Sequence, residues 1–221
     1  MATLALIGAT GFVGGAVLNE ALARGHQVRA LARHPFKLAT RPRLEVVQAD
    51  VLVPSQVILG LHGADAVISA YNSGWKNPEQ YDEFLQATRA LYAGARHAGV
   101  KRLLVVGGAG SLFVAPGVQL VDTPQFPAHI KPGALAARDA LELLRAEYSL
   151  DWTFLSPPPL LLPQDRQGHG ERTGSYRVGE DAPLAGHEGY PSSISAADLA
   201  VAILDEIEQP RHIRRRFTVA N

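Results

Sequence analysis

Apolar residues recur along the chain in two alternating rhythms. Short runs rich in β-branched residues alternate with longer stretches in which apolar positions return every three or four residues. The short runs, Leu4 to Ile7, Gln27 to Ala32, Leu44 to Gln48, Ala66 to Ala70, Arg102 to Val106 and Trp152 to Leu155, predict strands. The longer ones predict helices over Phe12 to Ala23, Gln80 to Ala98 and Gly133 to Tyr148, with a further helix beginning near Ser55. Gly25 and Gly99 stand where helices should stop, each just before a strand begins. Strands interleaved with helices in this way predict an α/β fold: a doubly wound, mostly parallel sheet covered by helices on both faces, with right-handed crossovers.

After Leu155 the texture changes. Ser156-Pro157-Pro158-Pro159 opens a Pro/Gly-rich stretch that runs to about Ser195. This stretch reads as substrate-side loops with a short hairpin, a small C-terminal lobe in which Thr173 to Val178 alternates like a strand. Ser195-x-x-Asp198 is a variant capping box, followed by Leu199, Ile203 and Ile207 four apart on one helical face. Arg216 to Ala220 predicts a short final strand. There is no internal repeat, and residues 1–221 read as one domain with the substrate-side loops at about 157–195.

The first strand leads straight into Gly8-Ala9-Thr10-Gly11-Phe12-Val13-Gly14. Glycines three apart at a strand-to-helix junction allow a tight reversal, a close approach of backbone to a pyrophosphate, and close packing of helix on strand. The free N–H groups at the helix start, with the positive end of its dipole, then hold the phosphates without any basic side chain. Gly8, Thr10, Gly11, Phe12, Val13 and Gly14 are therefore the predicted cradle for a dinucleotide. The G-x-x-G-x-x-G spacing favours a site of the short-chain dehydrogenase kind.

Composition narrows the partners. Twenty-one basic and 21 acidic residues give a formal charge of zero, so no global field recruits nucleic acid or an anionic membrane. No apolar stretch is long enough to span a bilayer, and the N-terminal run is used by the first strand, so a cytoplasmic protein is expected. With no cysteine there is no disulfide, thiol nucleophile or thiolate metal site. His169 and His187 have no partner at metal-ligand spacing, and no metal is expected.

Any anion site must then be local. Arg33 stands at the end of the second strand, where an NAD-selective site places an acid for the ribose 2′-hydroxyl. An arginine there offers bidentate hydrogen bonds to a 2′-phosphate, so NADP is the expected cofactor, with NAD still possible. His34, Lys37, Arg41 and Arg43 extend a basic cluster, which could equally be a solvated loop. Asp50, followed by Val51, could accept from the adenine amino group or cap the helix near Ser55. The strand ends Ser69-Ala70-Tyr71-Asn72 and Gly107-Gly108-Ala109-Gly110-Ser111 face the crevice where open α/β sheets bind ligands. His129 and Lys131 read as a solvated loop, and Arg211, Arg214, Arg215 and Arg216 as the charged protection of an edge strand.

Several of these segments together carry a family resemblance. Gly8 to Gly14, Val105 to Ser111, Trp152-Thr153-Phe154-Leu155-Ser156-Pro157, Arg172-Thr173-Gly174-Ser175-Tyr176-Arg177 and Phe217-Thr218-Val219 resemble the extended, atypical short-chain dehydrogenase/reductases. The similarity is strongest to the NAD(P)H-binding, NmrA-like branch and to small proteins provisionally labelled NADH-flavin reductases or epimerase/dehydratase-like. It implies a Rossmann-type fold in which the loop at Ser156-Pro157-Pro158 borders the nicotinamide, with Pro157 in contact and Ser111 as the strand-five serine, a candidate catalytic residue. Gln164 to Gly170 looks like additional length.

One departure matters more than the matches. None of the six tyrosines is followed four residues later by the lysine that lowers the phenol's pKa in typical members, and the helix expected to carry that pair has Ala134, Ala137 and Arg138. Reduction of a flat acceptor such as a flavin or quinone avoids the need for that acid, because the acceptor's own ring system takes up the charge. Tyr71, Trp75, Phe113, Phe126 and Tyr176 are candidates to line such a pocket. The alternatives are a catalytically silent NAD(P)-sensing protein and an epimerase or dehydratase.

Overall fold

The computed structural model describes residues 1–162, 171–186 and 191–221; the extra length at Gln164 to Gly170, with His169, and also His187 lie outside the described residues. The N-terminal half runs β1 (Thr3–Ile7), α1 (Phe12–Ala23), β2 (Gln27–Ala32), β3 (Leu44–Gln48), α2 (Pro54–Leu61), β4 (Ala66–Ser69), α3 (Gln80–His97) and β5 (Arg102–Val106). There follow β6 (Phe113–Ala115), β7 (Val118–Gln119), α4 (Lys131–Arg145), β8 (Asp151–Ser156) and β9 (Leu160–Leu162). β10 (Arg177–Gly179), β11 (Ser193–Ser195), α5 (Ala196–Glu208) and β12 (Arg215–Ala220) complete the described elements.

The main sheet has the order β10-β12-β8-β5-β4-β1-β2-β3, parallel throughout except where β10 meets β12. This is the expected doubly wound, mostly parallel α/β sheet. Its inner strands are apolar on both faces because both faces are covered. Leu4, Leu6, Ile68, Leu104, Phe217 and Val219 pack on one side under α1 and α5. Ala5, Ile7, Val67, Leu103, Trp152 and Phe154 pack on the other under α2, α3 and α4. From β1 the chain winds outward to β3 and then returns to β4 on the other side of β1, which places the topological switch point between β1 and β4.

Local signals placed the helix ends well. Gly25 and Gly99 adopt φ of 86° and 74°, and each closes its helix with a pair of backbone bonds such as Gly25 N–H to Leu22 O and His26 N–H to Ala21 O. Ser195 Oγ accepts from Asp198 N–H at 3.0 Å and starts α5. The Asp198 side chain does not close the capping box; it accepts from Thr173 Oγ1, Gly174 N–H and Asn221 Nδ2 instead.

Three expectations about the C-terminal third are corrected. The hairpin is absent among the described residues: β9 pairs in parallel with β11, and β10 pairs with β12. The alternating segment forms a strand only at its end, because Thr173 to Ser175 are drawn into the bonds around Asp198. β12 is not an edge strand, since β10 covers it, and Arg216 is 6% exposed in an ion pair with Asp181. Of the four arginines only Arg216 turns inward, while Arg211, Arg214 and Arg215 are exposed.

A polar cluster ties α1, α5 and the segment before β10 together. Arg24, at the end of α1, donates to Glu20, Asp205 and Glu208, while Arg172 donates twice to Glu20 at 2.8 Å. The Arg172 guanidinium, helped by Arg24, holds the Glu20 carboxyl below its ordinary range despite burial. A carboxyl depressed in the folded state stabilises the fold above its unfolded pKa, about 4.3, and that contribution is lost as pH falls through the folded value. Thermal unfolding should therefore depend less steeply on acid pH in Glu20→Gln than in wild type, and equal slopes below about pH 5 would exclude this role.

Candidate functional site

The cradle forms at the switch point. Gly8 leaves β1 with φ of 86°, and a Cβ there would stand 2.4 Å from Ala70 O. Gly11 precedes α1 in extended conformation, its N–H donating to Gly8 O at 2.9 Å. The first helical bond runs from Gly15 N–H to Gly11 O, so the N–H groups of Phe12, Val13 and Gly14 lie ahead of the helix's own bonding. A Cβ on Gly14 would fall 2.0 Å from Gly8 O, which is the measure of how closely α1 sits on the turn. Thr10, Gly11 and Phe12 are exposed above it. The geometry fits a pyrophosphate: bare backbone, no side-chain cap competing for the donors, and a helix N-terminus behind them.

A groove runs from this turn toward the ends of β2 and β3. Ile7, Gly8, Thr10, Gly11, Arg33, Val51, Ala70, Tyr71 and Asn72 contribute to its walls. The sequence-based set is thus brought together at Gly8, Thr10, Gly11, Arg33, Val51 and Ala70. Leu31, Ala32 and Ala49 also line it and were not singled out; their signal is only that they end or follow strands at the crevice edge.

Arg33 is exposed at the end of β2 and has no ion-pair or hydrogen-bond partner among the described residues. The rest of the basic cluster goes elsewhere. Arg41 Nη1 donates to Asn19 Oδ1 at 2.5 Å, and Arg43 Nη2 donates to Leu22 O at 3.0 Å, so both serve the C-terminal half of α1. Arg43 thereby sits at a carbonyl of the last turn, where the helix dipole favours a cation, and Arg41 at a side chain one turn earlier. The His34 ring lies tilted against that of Phe36, centroids 5.6 Å apart, and Lys37 is solvated.

Asp50 does not cap α2, whose N-cap is Val53 with no side-chain bond. Its Oδ1 accepts from Leu52 N–H at 3.0 Å and shapes the turn that carries Val51 into the groove wall. Tyr71 is half-buried in the groove with its ring against Phe84, centroids 6.0 Å apart. Burial, with the charges of Glu83 and Asp50 against that of Arg33, pushes the Tyr71 phenol up to about 12. It is therefore a hydrogen-bond donor throughout the neutral range.

Ser111 is placed differently from expectation. It is 2% exposed, and its Oγ and carbonyl oxygen both accept from Arg216 Nη1, at 3.2 and 3.0 Å. These two bonds tie the residue to β12 through its oxygens. Pro157 follows β8 directly and is buried, beside the end of β5, where Gly107 N–H donates to Leu155 O. A side chain at Gly107 would strike the Phe154 ring at 2.0 Å, so β5 must end in bare backbone here.

The five aromatic candidates do not converge. Phe113 lies under the Arg216 guanidinium at 5.9 Å, and Tyr176 OH donates to Asp205 Oδ2 at 2.6 Å on the α5 side. Phe126 is partly buried after β7. Tyr71 and Trp75 alone share the loop after β4. His129 is exposed and Lys131 opens α4, as a solvated approach to that helix. Among the described residues no group of three or more metal-ligating side chains occurs, and no helix is long and apolar enough to cross a membrane.

Comparison with known proteins agrees with this geometry. The uncharacterised protein YwnB of Bacillus subtilis (strain 168) is 39% identical over 220 residues, 99% of this chain and 98% of its own. A Bacteroides thetaiotaomicron structure, provisionally named an epimerase, is 44% identical with a TM-score of 0.89, covering 99% of this chain and 96% of that one. A Streptococcus pneumoniae structure, provisionally named an NADH-flavin reductase, is 34% identical with a TM-score of 0.85 over the whole of both chains. Residues 8–210 match the family model described as NAD(P)H-binding, and the chain accordingly belongs to that family, of the extended short-chain dehydrogenase/reductase type.

Proposed function

We propose that this protein is an NADPH-preferring reductase that delivers hydride to a flat acceptor such as a flavin or quinone. The observation that carries the acceptor class is the disposition of the hydroxyl groups near the crevice. Ser111 is 2% exposed, with Arg216 donating to its Oγ, and the Tyr71 phenol, at about 12, has no lysine four residues on to lower it. Neither is prepared as the acid that reduction of a ketone requires. A conjugated acceptor stabilises the added electrons in its own ring and takes its proton from water.

In this reading the N–H groups of Phe12, Val13 and Gly14 hold the pyrophosphate, and Gly8 and Gly11 keep side chains out of its way. Arg33 holds the 2′-phosphate, Asp50 and Val51 border the adenine, and Ala70 and Pro157 border the nicotinamide half. The bound cofactor supplies the hydride. The chain's work is to align two flat rings and exclude water between them. NADPH oxidation followed on addition of FMN, riboflavin, menadione and a panel of ketones tests the reading: flavin or quinone turnover without ketone turnover is expected. Ketone turnover alone, or tight NADPH binding with no turnover of any acceptor, would overturn it. The Streptococcus pneumoniae relative's provisional name favours the same chemistry.

Cofactor choice gives a separate prediction. Charge-assisted hydrogen bonds to a phosphate contribute about 1.5–3 kcal/mol, roughly ten- to a hundredfold in affinity. Arg33→Asp should weaken NADPH by at least that factor while leaving NADH unchanged or improved. Titration of both nucleotides against both proteins measures it, and an unchanged NADPH/NADH ratio would remove Arg33 from the site.

A further inference from the structure

We infer that Trp75 is the stacking platform for the acceptor, an inference that rests on the reductase reading above. Indole carries the largest apolar face of any side chain, and such faces are seldom left in water. Trp75 is nevertheless 59% exposed, on the loop that leaves β4 at the crevice. That loop is firmly built. Asn72 Oδ1 accepts from Gly74 N–H at 2.7 Å, Gly74 turns with φ of 100°, and Gly74 O accepts from Asn77 N–H at 3.1 Å. Ser73 Oγ donates to Gln80 O at 2.9 Å, and Asn77 Nδ2 donates to Glu83 Oε2 at 2.9 Å. The indole is thus held out by an ordered turn.

The loop's two ends locate it. Tyr71 and Asn72 are walls of the cofactor groove. At the other end Gln80 lies against Gly133 in the first turn of α4, so closely that a Cβ on Gly133 would meet Gln80 Nε2 at 2.6 Å. The loop that carries Trp75 therefore runs from the cofactor groove to the start of α4. Among the described residues the other aromatics more than half exposed are Phe36, in the loop after β2 beside His34, and Tyr148, after the C-terminal end of α4; Phe12, 38% exposed, opens α1 at the cradle itself. Tyr71, Phe113 and Tyr176 are each occupied by an internal partner. An electron-rich indole face, exposed on a loop that begins at the cofactor groove, suits an electron-poor, planar ring, stacked in offset fashion.

Trp75→Ala should raise KM for FMN and menadione about tenfold, with the dissociation constant of NADPH within twofold of wild type; Trp75→Phe should recover most of the loss. KM within twofold of wild type in Trp75→Ala would overturn the platform. A second measurement does not depend on turnover. The chain has two tryptophans, and Trp152 is 4% exposed, so quenching by an added molecule reports chiefly on Trp75. With NADP⁺ bound, riboflavin should itself quench the fluorescence difference between wild type and Trp75→Phe, saturably, because a flavin stacked on an indole takes up its excitation. Saturable quenching without any reductase turnover would overturn the reductase reading and keep the platform; turnover without such quenching would do the reverse.

Discussion

Gly11→Ala should cost the protein most of its nucleotide affinity while leaving it folded, whereas Gly14→Ala should destabilise the fold itself. The two glycines are three residues apart in one motif, yet the space around them differs. A Cβ on Gly11 meets only Gly8 O, at 3.2 Å, and Gly11 has φ of −89°, which any residue adopts. The added methyl is tolerated by the chain but stands on the exposed turn where a pyrophosphate must approach the backbone. We expect NADPH to bind roughly ten- to a hundredfold more weakly, as for loss of about 1.5–3 kcal/mol of charge-assisted bonding. At Gly14 the nearest atoms are the carbonyl oxygen of Gly8 at 2.0 Å, its carbon at 2.5 Å and Ala9 N at 3.0 Å. All are backbone, so α1 must move off the turn as a body. Overpacking of this kind costs about 1–3 kcal/mol or more, equivalent to roughly 2–12 °C in Tm for a domain of this size. Calorimetric titration and thermal unfolding of both variants decide the matter. Wild-type affinity in Gly11→Ala, or a wild-type Tm in Gly14→Ala, would show the cradle to be built otherwise.

The same contrast explains which parts of the molecule could be read from the sequence. The strands and helices were legible because their cause is periodic burial, which leaves its mark within each segment; Leu103 to Val105 are apolar on both faces because helices cover both. Turn glycines and the Ser195 cap were legible because their cause is local backbone geometry. The addresses of charged side chains were not. Arg33, Arg41, Arg43 and Arg216 look alike in sequence, yet Arg33 borders a groove, Arg41 and Arg43 serve α1, and Arg216 is buried and paired with the exposed Asp181. Ser111 sits at the expected position on the chain, but its hydroxyl is fixed by a residue 105 positions later. β10, three residues long, has too little pattern to announce that it would cover β12.

Asp198 shows how much such an unannounced contact can carry, and its removal is the second large effect we expect. The side chain is 0% exposed at the start of α5, where the helix dipole favours an acid. Its two oxygens accept from Thr173 Oγ1 at 2.7 Å, Gly174 N–H at 2.8 Å and Asn221 Nδ2 at 3.0 Å. One carboxylate thus joins the segment before β10, the first turn of α5 and the residue after β12. Asp198→Ala removes the acceptor and leaves the donors facing a small apolar hole. Each unsatisfied buried donor costs about 1–3 kcal/mol. Thr173 and Gly174 are exposed enough for water to replace part of this, so a net loss of about 3 kcal/mol is expected, roughly 6–12 °C in Tm. Asp198→Asn should lose less, since its remaining carbonyl can still accept from Gly174 while its amide opposes the Asn221 amide. Hydrogen exchange gives the discriminating readout: the Gly174 amide should lose protection in Asp198→Ala while NADPH affinity stays near wild type, because the cradle is formed by β1 and α1 alone. A Tm within about 2 °C of wild type would mean that the segment is held by Arg172 and Glu20 without it.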